Sequence, residues 1–121
     1  MRFATAILSA IAVILHSTLV VADSLTILEC TTWWGSKDRT TAIWHTDHGS
    51  HSVDASNDCR DPDVPIVWEF CMDYSMKRGH FKATGQNKRC FVESNSKQVG
   101  GSYAGDALCS ILKYSEVFCG W

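Results

Sequence analysis

Six cysteines, Cys30, Cys59, Cys71, Cys90, Cys109 and Cys119, follow an apolar N-terminal segment, and this combination constrains the chain more than any other feature. Met1 and Arg2 precede an apolar run from Phe3 to Ala22. Val20 and Ala22 place small residues at positions −3 and −1 of a cut before Asp23. A basic start, an apolar middle and a small-residue exit make a secretory signal peptide. Thr5, Ser9, His16, Ser17 and Thr18 interrupt the run and no basic stop-transfer cluster follows, so residues 1–22 read as a removable leader rather than a membrane anchor. Removing them from 121 residues leaves 99, residues 23–121, a single small domain with a thin core. An even number of cysteines in an exported chain reads as three disulfides, with fifteen possible pairings. No two cysteines lie two to four residues apart, so the spacing of a zinc knuckle is absent.

Charge narrows the partners. Without Arg2, the 11 basic residues become 10 against 13 acidic ones, a net charge of −3. That balance argues against a nucleic-acid binder, whose affinity comes from neutralising phosphates. No second apolar stretch is long enough for stable membrane insertion. A stapled domain of this size is expected to be a monomer.

The chain predicts mixed α and β structure. Leu25–Trp33 and Thr40–His45 read as strands around the turn residues 35–38, and residues 46–63 as a long polar surface loop held by Cys59. Residues 61–79 carry two patterns. Asp61-Pro62 at one end and Lys77-Arg78-Gly79 at the other are helix start and stop signals. In the middle, Ile66, Trp68, Phe70, Met72 and Tyr74 alternate as in a strand. The helix is preferred, which keeps Trp68 for the core. His80–Thr84 and Lys88–Glu93 form a hairpin around residues 85–87, and residues 94–101 a loop. Ala104–Ser115 reads as a second helix with Ala107, Leu108, Ile111 and Leu112 on one face, and Glu116–Trp121 as a last strand. The expected fold class is α+β: a small disulfide-stapled antiparallel sheet with one or two helices packed on one face.

Four groups of residues could carry chemistry. His45, His48 and His51, three apart and helped by Asp47, have metal-ligand types, but Gly49 and the serines around them describe a polar loop, and no metal site is assigned. His45, Glu69, Arg78, His80 and Arg89 supply the types a small ribonuclease needs, in no spacing that specifies a site. No hydrolase elbow, metalloprotease or phosphate-loop motif appears, so no catalytic residue and no cofactor are assigned. Five tryptophans are a heavy load for 99 residues. Trp33, Trp34 and Trp44 are the candidates for an exposed surface, either a sugar platform or a protein-binding patch, with one of the neighbours Trp33 and Trp34 facing outward. Lys77, Arg78 and His80, with Lys82, Lys88 and Arg89, could merge into one basic patch.

A leader, a mature part near 100 residues, six spread cysteines, several tryptophans and no catalytic motif together resemble the small secreted cysteine-rich effectors of plant-associated fungi. The β-α-β-β-α-β order also resembles the subgroup built on the fold of virally encoded fungal killer toxins. The resemblance implies a virulence protein acting in the apoplast or inside host cells, by binding a host plant protein rather than by turnover. Trp33, Trp34, Trp44, Lys77, Arg78 and His80 are then the residues to test. A cell-wall polysaccharide is the alternative ligand, and a killer-toxin-like antimicrobial a further alternative.

Overall fold

The structure, a computed structural model, describes residues 22–99 and 107–121. All of the leader except Ala22 therefore lies outside the described residues. Eight strands run through the rest: β1 (Ser24–Thr32), β2 (Lys37–Thr46), β3 (Gly49–Val53), β4 (Asp58–Arg60), β5 (Val67–Asp73), β6 (Arg78–Ala83), β7 (Arg89–Gln98) and β8 (Ala107–Val117). They form one sheet in the order β3-β2-β1-β8-β7-β6-β5-β4, and every neighbouring pair is antiparallel. Two meanders, β1–β3 and β4–β8, are thus joined in the middle by pairing of the first and last strands.

The sheet curls into a half-barrel, and chain length explains why it must. Eight strands laid flat would separate the edge strands by about 34 Å. Only residues 54–57 connect the edge strands β3 and β4, and a link of that length reaches at most about 18 Å. The edges are drawn towards each other and the enclosed face becomes the core. Hydrogen bonds hold the link in place: Ala55 N donates to Arg39 O at 3.1 Å, and the Tyr74 hydroxyl donates to Ala55 O at 2.5 Å.

Alternation along the strands fills the concave face. Leu25 and Ile27 on β1, Ala42 and Trp44 on β2, Phe70 and Met72 on β5, Phe81 and Ala83 on β6, Phe91 on β7, and Leu112 and Tyr114 on β8 are all buried. Their register agrees, since Leu25 faces both Trp44 and Tyr114 and Phe70 faces Phe81. Gly79 belongs to this inner row, directly opposite Met72. A Cβ there would stand 2.6 Å from Met72 Sδ and 2.8 Å from Cys71 O. Gly79→Ala is therefore expected to destabilise the protein by about 1–3 kcal/mol, measured by urea unfolding. An unchanged midpoint would show that Met72 yields freely.

The expected α+β class is overturned: the described residues contain no helix, and 66% of them are in strands. The helix read over residues 61–79 is a loop, β5, a turn and the start of β6. Its apparent stop signal is the β5–β6 turn, where Lys77 takes a positive φ of 52°. The helix read over Ala104–Ser115 is β8 from Ala107 onward, with residues 104–106 outside the described part. β8 lies between β1 and β7 and hydrogen-bonds to both, so ladder pairing on two sides overrides a helical pattern. The loop read over residues 46–63 contains β3 and β4. β7 extends to Gln98 where a loop was expected from Ser94, and the last strand ends at Val117 rather than Trp121.

The three disulfides are present. Cys30–Cys109 joins the register partners on β1 and β8, Cys59–Cys71 those on β4 and β5, and Cys90–Cys119 ties β7 to the C-terminal tail.

Candidate functional site

Residues paired across an antiparallel sheet share a face. On the convex face this register makes one row, Cys59, Cys71, His80 and Cys90, across β4 to β7. His80 therefore sits between two disulfides. A β-bulge between Val67 and Glu69 shapes what surrounds it. Val67 pairs with Ala83 and Glu69 with Lys82, so Trp68 is the extra residue on its strand, as a bulge requires. Trp68 is turned out of the core and is 54% exposed, which corrects its expected burial.

Glu69 is the hub of the cluster. Its Oε2 lies 3.1 Å from Lys82 Nζ and 3.5 Å from His80 Nε2. The Lys82 hydrogen bond, assisted by His80, holds the Glu69 carboxyl below the usual carboxylate range. Partial burial pushes the His80 imidazole below its ordinary value against the opposing pull of Glu69. The surroundings thus favour an ionised Glu69 carboxylate beside an imidazole biased towards its neutral form.

Two indoles frame these charges, each with a cation beside its ring. Lys82 Nζ is 5.5 Å from the Trp68 ring centroid, and Arg78 Cζ is 4.8 Å from that of Trp121, distances within cation–π range. The tail that carries Trp121 is fixed by the Cys90–Cys119 disulfide and by Lys88 Nζ, which donates to the Trp121 carbonyl oxygen. Between tail and sheet lies a groove of about 400 Å³ lined by Asp58, the Cys59–Cys71 disulfide, Asp73, Arg78, His80 and Trp121. The groove thus offers charge, hydrogen-bonding groups and an indole ring to a ligand.

The other candidates disperse. Lys77 sits in the β5–β6 turn with Nζ 3.8 Å from Glu93 Oε2, while Arg78, His80 and Lys82 take the convex face. Arg89 pairs with Phe81 and faces the concave side, so the single basic patch does not form. Trp44 is 1% exposed and forms the centre of the core, which removes it from any binding surface. Trp33 and Trp34 lie beyond β1 in the β1–β2 turn and both are exposed, not one of the two. Their rings stand edge to face, 5.3 Å apart at 89°, and so offer no coplanar sugar platform. The three histidines do not gather: His45 hydrogen-bonds Thr26 and Ser50, while His51, facing with Trp44, and His48 in the turn line a concavity at the end of the half-barrel. Among the described residues the metal-like grouping is Cys59, Glu69 and Cys71, but both cysteines are oxidised in one disulfide and supply no thiolate.

Sequence reasoning missed Trp68 and Trp121 as site residues and named Lys82 only as part of the basic patch. The bulge that exposes Trp68 leaves no composition signal. Trp121 carried a usable one, being two residues beyond a cysteine that had to be anchored.

A second concavity, of about 440 Å³, opens at the end of the half-barrel near Asp23, His48, His51, Ile66 and Gln86, with Trp44 and Phe81 beneath. Asp23 and Arg89 on its lining belong to a charged cluster. Arg89 donates to both oxygens of Glu116, from Nε at 2.7 Å and Nη2 at 2.6 Å, and lies 3.3 Å from Asp23 Oδ1. Trp44 Nε1 donates to Asp23 Oδ2 at 3.2 Å. Burial raises the Asp23 carboxyl above its ordinary value, with Arg89 opposing. Burial pushes the Glu116 carboxyl up, but the Arg89 hydrogen bonds, the Asp23 backbone N–H and the Arg89 charge together hold it below its ordinary value.

The chain matches no protein-family model, no curated protein and no solved structure. Among the described residues no helix is long and apolar enough to cross a membrane.

Proposed function

We propose that this is an exported binding protein, of the cysteine-rich effector kind its sequence resembles, which docks a host protein through the convex face of β5, β6 and the C-terminal tail. The observation that carries the reading is the pair of cation–indole contacts, Arg78 with Trp121 and Lys82 with Trp68, on either side of the Glu69–His80 pair. Tryptophan and arginine are the residues most enriched at the energetic centres of protein interfaces. Here they are held by a disulfide and paired strands, so little ordering cost remains on binding. Three disulfides suit a protein that works in an oxidising, protease-rich compartment.

Oxidised protein is used to capture partners from host plant extract, with insoluble cell-wall polymers exposed in parallel. The captured partner is then titrated against the wild type, Trp68→Ala and Arg78→Glu. Each substitution is expected to weaken affinity by about tenfold or more with an unchanged melting temperature. Undiminished affinity of both variants would remove this face from the reading. Saturable retention on one polymer, abolished by Trp68→Ala, would replace the protein partner with a polysaccharide.

A further inference from the structure

The charge cluster at the mouth of the half-barrel has an unbalanced membership. Two carboxylates, Asp23 and Glu116, surround one guanidinium, Arg89. Asp23 is 3% exposed, and buried charge needs compensation. Asp23 Oδ1 is also the one fully buried side-chain oxygen among the described residues without a hydrogen bond. Arg89 Nη2 lies 3.3 Å away, but one of its N–H groups is directed to Glu116 and the other makes no hydrogen bond to this oxygen. The cluster is short of one positive charge and one donor.

The missing group has an obvious source in the chain itself. Asp23 N donates to Glu116 Oε1 at 3.0 Å, and Glu116 N returns a hydrogen bond to Asp23 O at 3.0 Å. The residue before it, Ala22, is exposed. As a peptide nitrogen, Asp23 N offers one proton and no charge. As a chain terminus it would carry three protons and a positive charge, bringing the cluster to neutrality and placing two further donors on the residue that holds the unpartnered oxygen.

We propose that hydrolysis of the Ala22–Asp23 peptide bond is a structural maturation step, in which the freed α-ammonium of Asp23 becomes the fourth charge of the Glu116–Arg89–Asp23 cluster. Water adds hydroxyl to the Ala22 carbonyl carbon and a proton to Asp23 N, under a peptidase of the secretory pathway, and the amine takes a further proton from solvent. The new terminus then fastens the start of β1 to β8 at the seam between the two meanders. The eight strands of the described residues and the three disulfides lie after the cut, so the product retains the sheet. This inference rests on the export reading and not on the convex docking face.

The full chain is expressed through a eukaryotic secretory pathway, and the product is read by intact mass and N-terminal sequencing. It is expected to begin at Asp23. The same product is then compared with a chain of identical sequence carrying an Nα-acetyl group, and with Glu116→Gln in both forms. Acetylation is expected to lower the melting temperature of the wild type by about 5 °C and to have little effect on Glu116→Gln. The α-amine of the folded wild type is also expected to react with an acylating reagent at least about tenfold more slowly than that of Glu116→Gln, since an amine held as an ion pair is not nucleophilic. A product starting at another residue would overturn the processing site. Equal melting temperatures and equal amine reactivity would overturn the structural role of the ammonium. Neither failure touches the partner-binding experiment.

Discussion

Replacing Cys30 and Cys109 together by alanine is expected to remove about 4.5 kcal/mol of stability, the largest loss among the three disulfides. The bond spans a sequence separation of 79 residues, and the entropy it denies the unfolded chain grows with the logarithm of that separation. The same relation gives about 3.6 kcal/mol for Cys90–Cys119, with a separation of 29, and about 2.8 kcal/mol for Cys59–Cys71, with a separation of 12. Against a total of roughly 5–15 kcal/mol for a small domain, the first loss is most of a marginal stability. The location reinforces the arithmetic, because Cys30–Cys109 sits on the β1–β8 seam that joins the two meanders. Urea unfolding of the three double-alanine variants, each with its other two bonds confirmed intact, checks the order. Three equal losses would show that native-state contacts rather than chain entropy set the stabilisation.

The sequence disclosed strands whose alternation is flanked by clear turn residues. β1, β2, and the β6–β7 hairpin around Gly85 were readable because alternation and turn chemistry agree there. β5 and β8 were not. In β5 the alternating residues were present, but Asp61-Pro62 and Lys77-Arg78-Gly79 imitate helix caps, and both flanks are in fact turn chemistry. β8 shows apolar residues at helical spacing, yet only Leu112 of Leu108, Ile111 and Leu112 is buried, and Leu108 is exposed. What makes it a strand is the hydrogen bonding supplied by β1, some 80 residues away, which no local window contains. The candidate site follows the same division. Arg78 and His80, two apart on a strand, were expected together and share a face. Their partners Glu69, Trp68 and Trp121 arrive through cross-strand register, a bulge and a disulfide, all of them non-local. Trp44 was misplaced on the binding surface for a related reason: its inward direction is set by pairing with Leu25, not by its neighbours in sequence.

Trp44→Ala is expected to cost about 3–5 kcal/mol from packing alone, enough that little folded protein remains at 37 °C. Its indole lies against three phenylalanines, with ring centroids 5.5 Å from Phe70, 4.5 Å from Phe81 and 6.2 Å from Phe91. These rings come from four different strands, so the cavity left by the substitution would lie where the half-barrel closes on itself. The indole N–H adds a second, separable contribution through its hydrogen bond to Asp23 Oδ2. Trp44→Phe keeps most of the aromatic volume and removes that bond, and is expected to cost about 1–3 kcal/mol at neutral pH. The pH dependence distinguishes the two effects. With the Asp23 nitrogen in amide form, as in the uncleaved or Nα-acetylated chain, burial raises the Asp23 carboxyl in the folded state, and Trp44 is one of the groups restraining that rise. Without it the carboxyl moves further up, so keeping Asp23 ionised in the fold costs more at pH 7. That extra cost disappears as pH falls through the folded value towards about 3.9, the value of an unfolded aspartate, because the folded carboxyl then carries its proton. The deficit of Trp44→Phe should therefore narrow between pH 7 and pH 4; that of Trp44→Ala should narrow by a similar amount and keep its larger packing part across the same range. Unfolding free energies measured at several pH values decide the matter, and a Trp44→Phe deficit that stays constant with pH would show that the indole serves Asp23 in packing only.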